Sequence, residues 1–264
     1  MKALKYITLC LCALTLFSFT AGTKENFSYR QITNQAFTYG ENLKYRVHFG
    51  WINAATIDIN VAPNPVKIDD RTTYHITAKG RTKSSFDWMY KVRDHYETYL
   101  DSESMAPLKY FKSVRENSYK DKDLVYYDHS TGFIKGHKKD MDAPQYVQDL
   151  VSSLFYARTY DFDNAVIGET FPIDIYMDQE IYNLKFKYLG KETIKTDVGK
   201  VNCYVMRPQL VVDRVFKDED DMTVWVTADA NRIPVRVKTD IWVGSLKIDL
   251  TSYSGLANNF SSKR

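Results

Sequence analysis

The residues whose types could do chemistry are few and scattered along the chain. His48, His75, His95, His129 and His137 are the five histidines, the usual metal ligands and general bases near neutral pH. His48, His75 and His95 fall on three successive alternating segments. If those segments pair in order, the three imidazoles approach one another on one face as a zinc donor set; three solvated surface histidines are the alternative. The run Asp218-Glu219-Asp220-Asp221 lacks the interleaved glycine that a calcium loop needs. It reads as a solvated hairpin loop, with a weak cation site as the other possibility. Ser152 and Ser153 sit inside a helical stripe, where no strand-to-helix elbow presents a nucleophile. G-x-G-x-x-G, P-loop, H-E-x-x-H and G-x-S-x-G patterns are all missing. No catalytic residue, metal ligand or cofactor is assigned.

The aromatics say more: 20 Tyr, 14 Phe and 4 Trp. Ser85-Phe86-Asp87-Trp88-Met89-Tyr90 places large apolar side chains between two strands, as a core plug or the lining of a ligand entrance. Trp225 and Trp242 alternate with polar neighbours and are surface aromatic candidates, for a partner or glycan or simply packed beneath stems such as that of Arg236. Cys203 shares a face with Val201 and Val205 and reads as a buried small hydrophobe rather than a reactive thiol.

The elements that must position these residues are mostly strands. Leu43-Tyr45-Val47-Phe49, Ala55-Ile57-Ile59-Val61 and Tyr74-Ile76-Ala78 alternate with polar residues at period two. Similar runs follow at 92–100, 108–116, 123–128 and 133–138, and then at 171–177, 181–188, 201–210, 222–227, 233–239 and 244–250. Between the two series, Val147, Leu150, Val151, Leu154 and Phe155 are spaced by threes and fours, which predicts one helix over residues 145–160, with Pro144 at its start. The expected fold is mainly β: a curved antiparallel sheet or half-open β-barrel of about twelve strands with one central helix. Gly40-Glu41 and Gly168-Glu169 each open a series and suggest two similar halves.

Residues 1–22 combine Lys2 and Lys5, an apolar stretch over 6–19 and the small residues Thr20-Ala21-Gly22, the pattern of a secretory signal peptide. Residues 23–36 read as a flexible leader, 37–256 as one β domain and 257–264 as a tail. Of the 36 basic side chains, two lie in the leader peptide, so the exported chain carries 34 against 33 acids, a net charge of +1. Such a chain has no field to attract nucleic acid, and mean hydropathy of −0.42 excludes a polytopic helical membrane protein. With only Cys203 left after cleavage, no intramolecular disulfide forms.

Three stretches resemble a bacterial family of secreted all-β proteins of unknown function: Gly40-Glu41-Asn42-Leu43-Lys44-Tyr45-Arg46-Val47, Asp149 through Arg158, and Thr227-Ala228-Asp229-Ala230-Asn231-Arg232-Ile233-Pro234-Val235 followed by Gly244. The chain has Ala54-Ala55 where that family often has Ala-Gly. The ending is more loosely similar to the half-barrel lipoprotein carriers LolA and LolB, which shield an acyl chain. These resemblances imply an exported protein of a Bacteroidota-like periplasm or cell envelope, not an integral membrane protein after cleavage. The leading functional expectation is a non-enzymatic binding or carrier domain for a lipid-like or other apolar ligand, with Leu150, Leu154, Phe155, Trp51 and Trp88 as ligand-binding candidates. A structural or interaction protein with an envelope protein partner is the alternative, and a hydrolase with dispersed carboxylates the third.

Overall fold

The computed structural model describes residues 27–209, 222–241 and 244–264. Its first meander runs β1 (Asn42–Phe49), β2 (Ile52–Val61), β3 (Val66–Ile68), β4 (Arg71–Thr82), β5 (Arg93–Asp101), β6 (Pro107–Glu116), β7 (Tyr119–Asp128), β8 (Phe133–Gly136) and β9 (Met141–Asp142). Helix α1 (Leu150–Ala157) follows. The second meander runs β10 (Thr170–Met177), β11 (Glu180–Thr196), β12 (Gly199–Gln209), β13 (Met222–Thr227), β14 (Pro234–Ile241) and β15 (Gly244–Ser254). Fifteen strands among the described residues form one antiparallel sheet, ordered β10-β11-β12-β13-β14-β15-β1-β2-β4-β5-β6-β7-β8-β9, with β3 beside β4. The last strand therefore pairs with the first, joining the two meanders through β15 and β1.

The sheet curls without closing into a barrel: no ladder joins β9 to β10. Alternation decides what lies inside the curve. Leu43 and Tyr45 of β1, Ile59 and Val61 of β2, Ile76 of β4 and Leu100 of β5 are buried in one core with Val151 and Phe155 of α1. A second cluster joins Tyr110, Val125, Tyr127 and Ile134 of β6–β8 to Tyr176 of β10, so the two ends of the sheet meet through side chains instead of hydrogen-bonded strands. No helix among the described residues is long and apolar enough to cross a membrane.

The helix is shorter than the apolar spacing predicts. Asp149 accepts hydrogen bonds from the backbone N–H groups of Val151 and Ser152, while Ser152 Oγ accepts from the Asp149 N–H, a capping box that starts α1 at Leu150. Gln145 and Tyr146 form a turn, with Tyr146 at a φ of 63°, and the chain from Val147 to Asp149 is extended. Gln148 pairs with β10: its N–H donates to Asp174 O at 2.8 Å, and its carbonyl accepts from Tyr176 N at 2.7 Å. Val147 thus meets the core from an extended segment, not from the helix. The segment expected to be a flexible leader is docked from Phe27 onward, with Ala36 and Phe37 buried against α1. The tail is also tied down, Ser262 donating to Asp229 through both N–H and Oγ.

Candidate functional site

The three stretches that resemble one family converge on one buried ion pair. Arg158, at the C-terminal cap of α1, donates to both carboxylate oxygens of Glu41 at 2.6 and 2.9 Å. Its remaining N–H groups donate to the carbonyls of Ala36 and Asn231, and its guanidinium lies 5.2 Å from the ring centres of Phe37 and Phe155. Arg158 and Glu41 are both almost fully buried. Each guanidinium nitrogen and both carboxylate oxygens are bonded inside the hub, which locks the entry to β1, the end of α1 and the β13–β14 turn together. Asp149 is a second buried carboxylate. Burial pushes it up to about 6, against hydrogen bonds from Thr98, Ser152 and Val151 that favour its charged form.

The inner face is not filled everywhere. Where β10 approaches β5, β6 and β7, a cleft of about 200 Å³ remains. Its walls are Tyr96, Tyr110 and Tyr176, its apolar end is Leu150 at the first turn of α1, and it reaches Glu116, Tyr119 and Met177 at the rim of the sheet. Lys112 lies within it, largely buried, with its ammonium 2.8 Å from Asp121 and ion-paired also to Asp178. Burial pulls Lys112 down, but these two carboxylates outweigh it and hold the ammonium charged above the ordinary lysine range. The Tyr176 hydroxyl donates to Asp123 at 3.2 Å. Burial raises Tyr96 to about 12 and pushes Tyr110 and Tyr176 up as well, so all three stay protonated at neutral pH. The cleft therefore presents aromatic faces, hydroxyl donors and fixed charges.

The sequence-derived candidates separate. Leu150 lines the cleft and is 44% exposed, Leu154 packs partly against the core, and Phe155 is wholly buried in it. Phe155 is thus a core plug, because it packs edge-on against Phe37 at 4.8 Å. Trp51 and Trp88 are not brought to the helix; they stand in the β1–β2 and β4–β5 connections with 92% and 81% of their surface exposed. Trp225 lies across from Arg236, donates its indole N–H to Glu192 at 2.8 Å and packs half-buried against the main core. Trp242 and Asp218–Asp221 lie outside the described residues.

The early histidines do not assemble as a trio. His75 and His95 both reach Glu97, at 2.9 Å each, and His75 stacks on Tyr99. His48 sits apart with Arg46 and Asp249. Among the described residues no group of His, Cys, Asp and Glu has the arrangement of a metal site. Cys203 is buried, which pushes its thiol up to about 12. The residues that sequence reasoning missed are Lys112, Asp123 and Tyr176. The first two had a signal: Lys112 occupies the inward parity of Leu108, Tyr110 and Val114, and Asp123 that of Val125 and Tyr127. A charge on the buried face of an alternating strand has to be paired or used.

The family described as "Protein of unknown function (DUF3108)" matches residues 44–251. No curated protein matches the sequence. Among solved structures, a β-barrel-like protein of a domain of unknown function, DUF1849, from Brucella abortus superposes with a TM-score of 0.52 and 8% identity, over 87% of this chain and 99% of that one. A candidate lipoprotein from Parabacteroides distasonis gives a TM-score of 0.35 and 12% identity, over 86% of this chain and 100% of that one. The similarity to the Brucella protein shows the β-barrel-like architecture.

Proposed function

The chain belongs to the DUF3108 family of proteins of unknown function, and from that premise we propose that it is an exported, non-enzymatic binding domain of the cell envelope with the seam cleft as its ligand seat. The observation that carries this reading is the cleft itself: tyrosine walls, the exposed Leu150 and a charged floor at the place where the curled sheet fails to close. Export rests on the basic and apolar pattern of residues 1–22. The non-enzymatic assignment rests on the sequence, which carries none of the G-x-G-x-x-G, P-loop, H-E-x-x-H or G-x-S-x-G patterns.

The expected apolar ligand is refined by the lining. Leu150, Val114 and Met177 offer an apolar wall, while Lys112, Asp123 and Asp178 demand polar groups, so an amphipathic molecule fits better than a bare acyl chain. A volume of about 200 Å³ is below the roughly 300–1,000 Å³ of sites that engulf a whole small molecule. The cleft seats one part of a larger, lipid-like ligand. That same small volume favours the second reading, a structural or interaction protein of the envelope.

Mass spectrometry under native conditions, with lipid extraction, of the protein isolated from its own host separates the two. A bound molecule present in the unsubstituted protein and lost in Leu150→Arg, with an unchanged melting temperature, supports the ligand seat. No bound molecule in protein from the native envelope overturns it.

A further inference from the structure

We propose that the rim of the sheet carrying Trp51 and Trp88 docks on an anionic lipid surface. Antiparallel pairing brings several connections to one end. Phe49 pairs with Ile52 across the β1–β2 turn, Ala55 pairs with Thr82 at the end of β4, Arg81 with Arg93 at the start of β5, and Glu116 with Tyr119 across the β6–β7 turn. The side chains that stand out from these connections are Trp51, Trp88, Met89, Tyr90 and Tyr119, all exposed. Isolated exposed apolar residues are ordinary, but five at one end, two of them tryptophans, form a patch that calls for an occupant.

The protrusion is built, not loose. Asp87 accepts from Thr82 Oγ1 at 2.7 Å and from two nitrogens of Arg93 at 2.6 and 3.0 Å, closing the base of the β4–β5 loop. The backbone of Lys91 is locked to Asn117 in both directions at 2.8 Å, which fastens this loop to the β6–β7 turn. The Trp88 indole N–H is satisfied within its own loop by the Ser85 carbonyl at 3.0 Å, so the ring reaches outward as an apolar face with its polar atom already bonded.

Charge decides the occupant. Arg81, Lys83, Lys91, Arg115, Lys120 and Lys122 surround these aromatics, exposed and without an ion pair among the described residues. Of the acids at the same end, Asp87 pairs with Arg93, Asp121 with Lys112 and Lys138, and Asp178 with Lys112, whereas Glu116 accepts from the Tyr90 hydroxyl and Asp94 from the Arg115 N–H without an ion pair, so the six unpaired cations outnumber these two unpaired acids. Tryptophan and tyrosine at the tips with unpaired Lys and Arg behind them match the layering of a membrane interface, where the rings lie at headgroup depth and the cations meet anionic headgroups. A protein partner would have to supply a matching acidic and apolar face; a bilayer with anionic lipid supplies both without specific shape.

The proposal is independent of the ligand seat, although the cleft reaches the same rim at Tyr119 and Met177. The test uses the exported protein, its N-terminus determined, with vesicles of phosphatidylcholine alone and with phosphatidylglycerol added. Co-sedimentation and the tryptophan emission shift should report binding to the anionic vesicles that weakens with added salt. Removing both rings (Trp51→Ala with Trp88→Ala) should weaken it by on the order of tenfold per ring. Lys83→Gln and Lys91→Gln should each cost about fivefold at low salt. Leu150→Asn, which alters the cleft without adding a charge, should leave vesicle binding unchanged. Absence of binding at about 1 mM lipid, roughly ten times the Kd of a single-acyl anchor, overturns the proposal. So does equal binding to both compositions, or undiminished binding by the double tryptophan variant with its melting temperature intact.

Discussion

Glu41 and Arg158 are 117 positions apart in the chain and share two hydrogen bonds in the interior. Removing one partner leaves the other charged and unpaired in a place water does not reach. Glu41→Gln and Arg158→Met should each lower stability by about 3–5 kcal/mol, and the double variant by less than the sum, as read from denaturant unfolding. Additive losses would show that the pair is not coupled. Asp149 makes a pH prediction. Its value rises from 3.8 in a model carboxyl to about 6 when folded. Below the unfolded value both states carry the proton; as pH rises towards 6 the unfolded chain ionises first, so stability falls and the loss is complete above the folded value. Asparagine keeps the cap without the charge. Asp149→Asn should therefore gain on the unsubstituted protein by roughly 2–3 kcal/mol between pH 4 and pH 7, at about 1.4 kcal/mol per pKa step. A difference that stays flat with pH would contradict the buried, raised carboxyl.

At the scale of the element, α1 shows how one stripe serves two purposes. Val151 and Phe155 point into the core, while Leu150, one position earlier, is turned to the cleft. Phe155→Ala should cost about 3–5 kcal/mol in a thermal or denaturant melt, Leu154→Ala about 2 kcal/mol, and Leu150→Ala well under 1 kcal/mol. The ordering is the test: Leu150→Ala as costly as Phe155→Ala would mean that Leu150 is core and lines no cleft. The helix was legible in its threes and fours but not in its length. The apolar spacing counts Val147, which a helix and an extended segment can both bury, whereas the start is set by one carboxylate bonding two backbone N–H groups. In the strands, the odd charge marked Lys112 and Asp123, yet nothing local said that β10 would face them from 50 or more residues away.

At the scale of the whole molecule, two meanders are joined by the pairing of β15 with β1 and drawn together at their free ends by the Tyr110–Tyr176 cluster. Gly40 and Gly168 both adopt positive φ, 85° and 95°, before the first strand of each meander. Their following glutamates differ: Glu41 is buried on Arg158, and Glu169 is exposed, accepting from Val166 N–H. The backbone similarity between the halves does not extend to their chemistry. Export makes a direct prediction for the intact protein: Edman sequencing of the species in the envelope fraction should start at Thr23. A protein beginning at Met1, or found in the cytosol, would remove the envelope from the functional reading.

The alternation of side chains by itself determined a mainly β protein, most of its strands though not β3, β9 or the second half of β11, a single helix in the middle and a buried Cys203, because period and burial are local properties that each segment carries with it. Only the tertiary structure decided that Glu41, Arg158 and Asn231 form one hub, that Phe155 is core while Leu150 faces a cleft, and that Trp51 and Trp88 stand at the rim instead of beside the helix. Those outcomes depend on strand order, register and the curl that brings β10 against β6 and β7. These are long-range choices: the energy of any one of them is shared among residues far apart in the chain, so no stretch of sequence carries enough of it to be read alone.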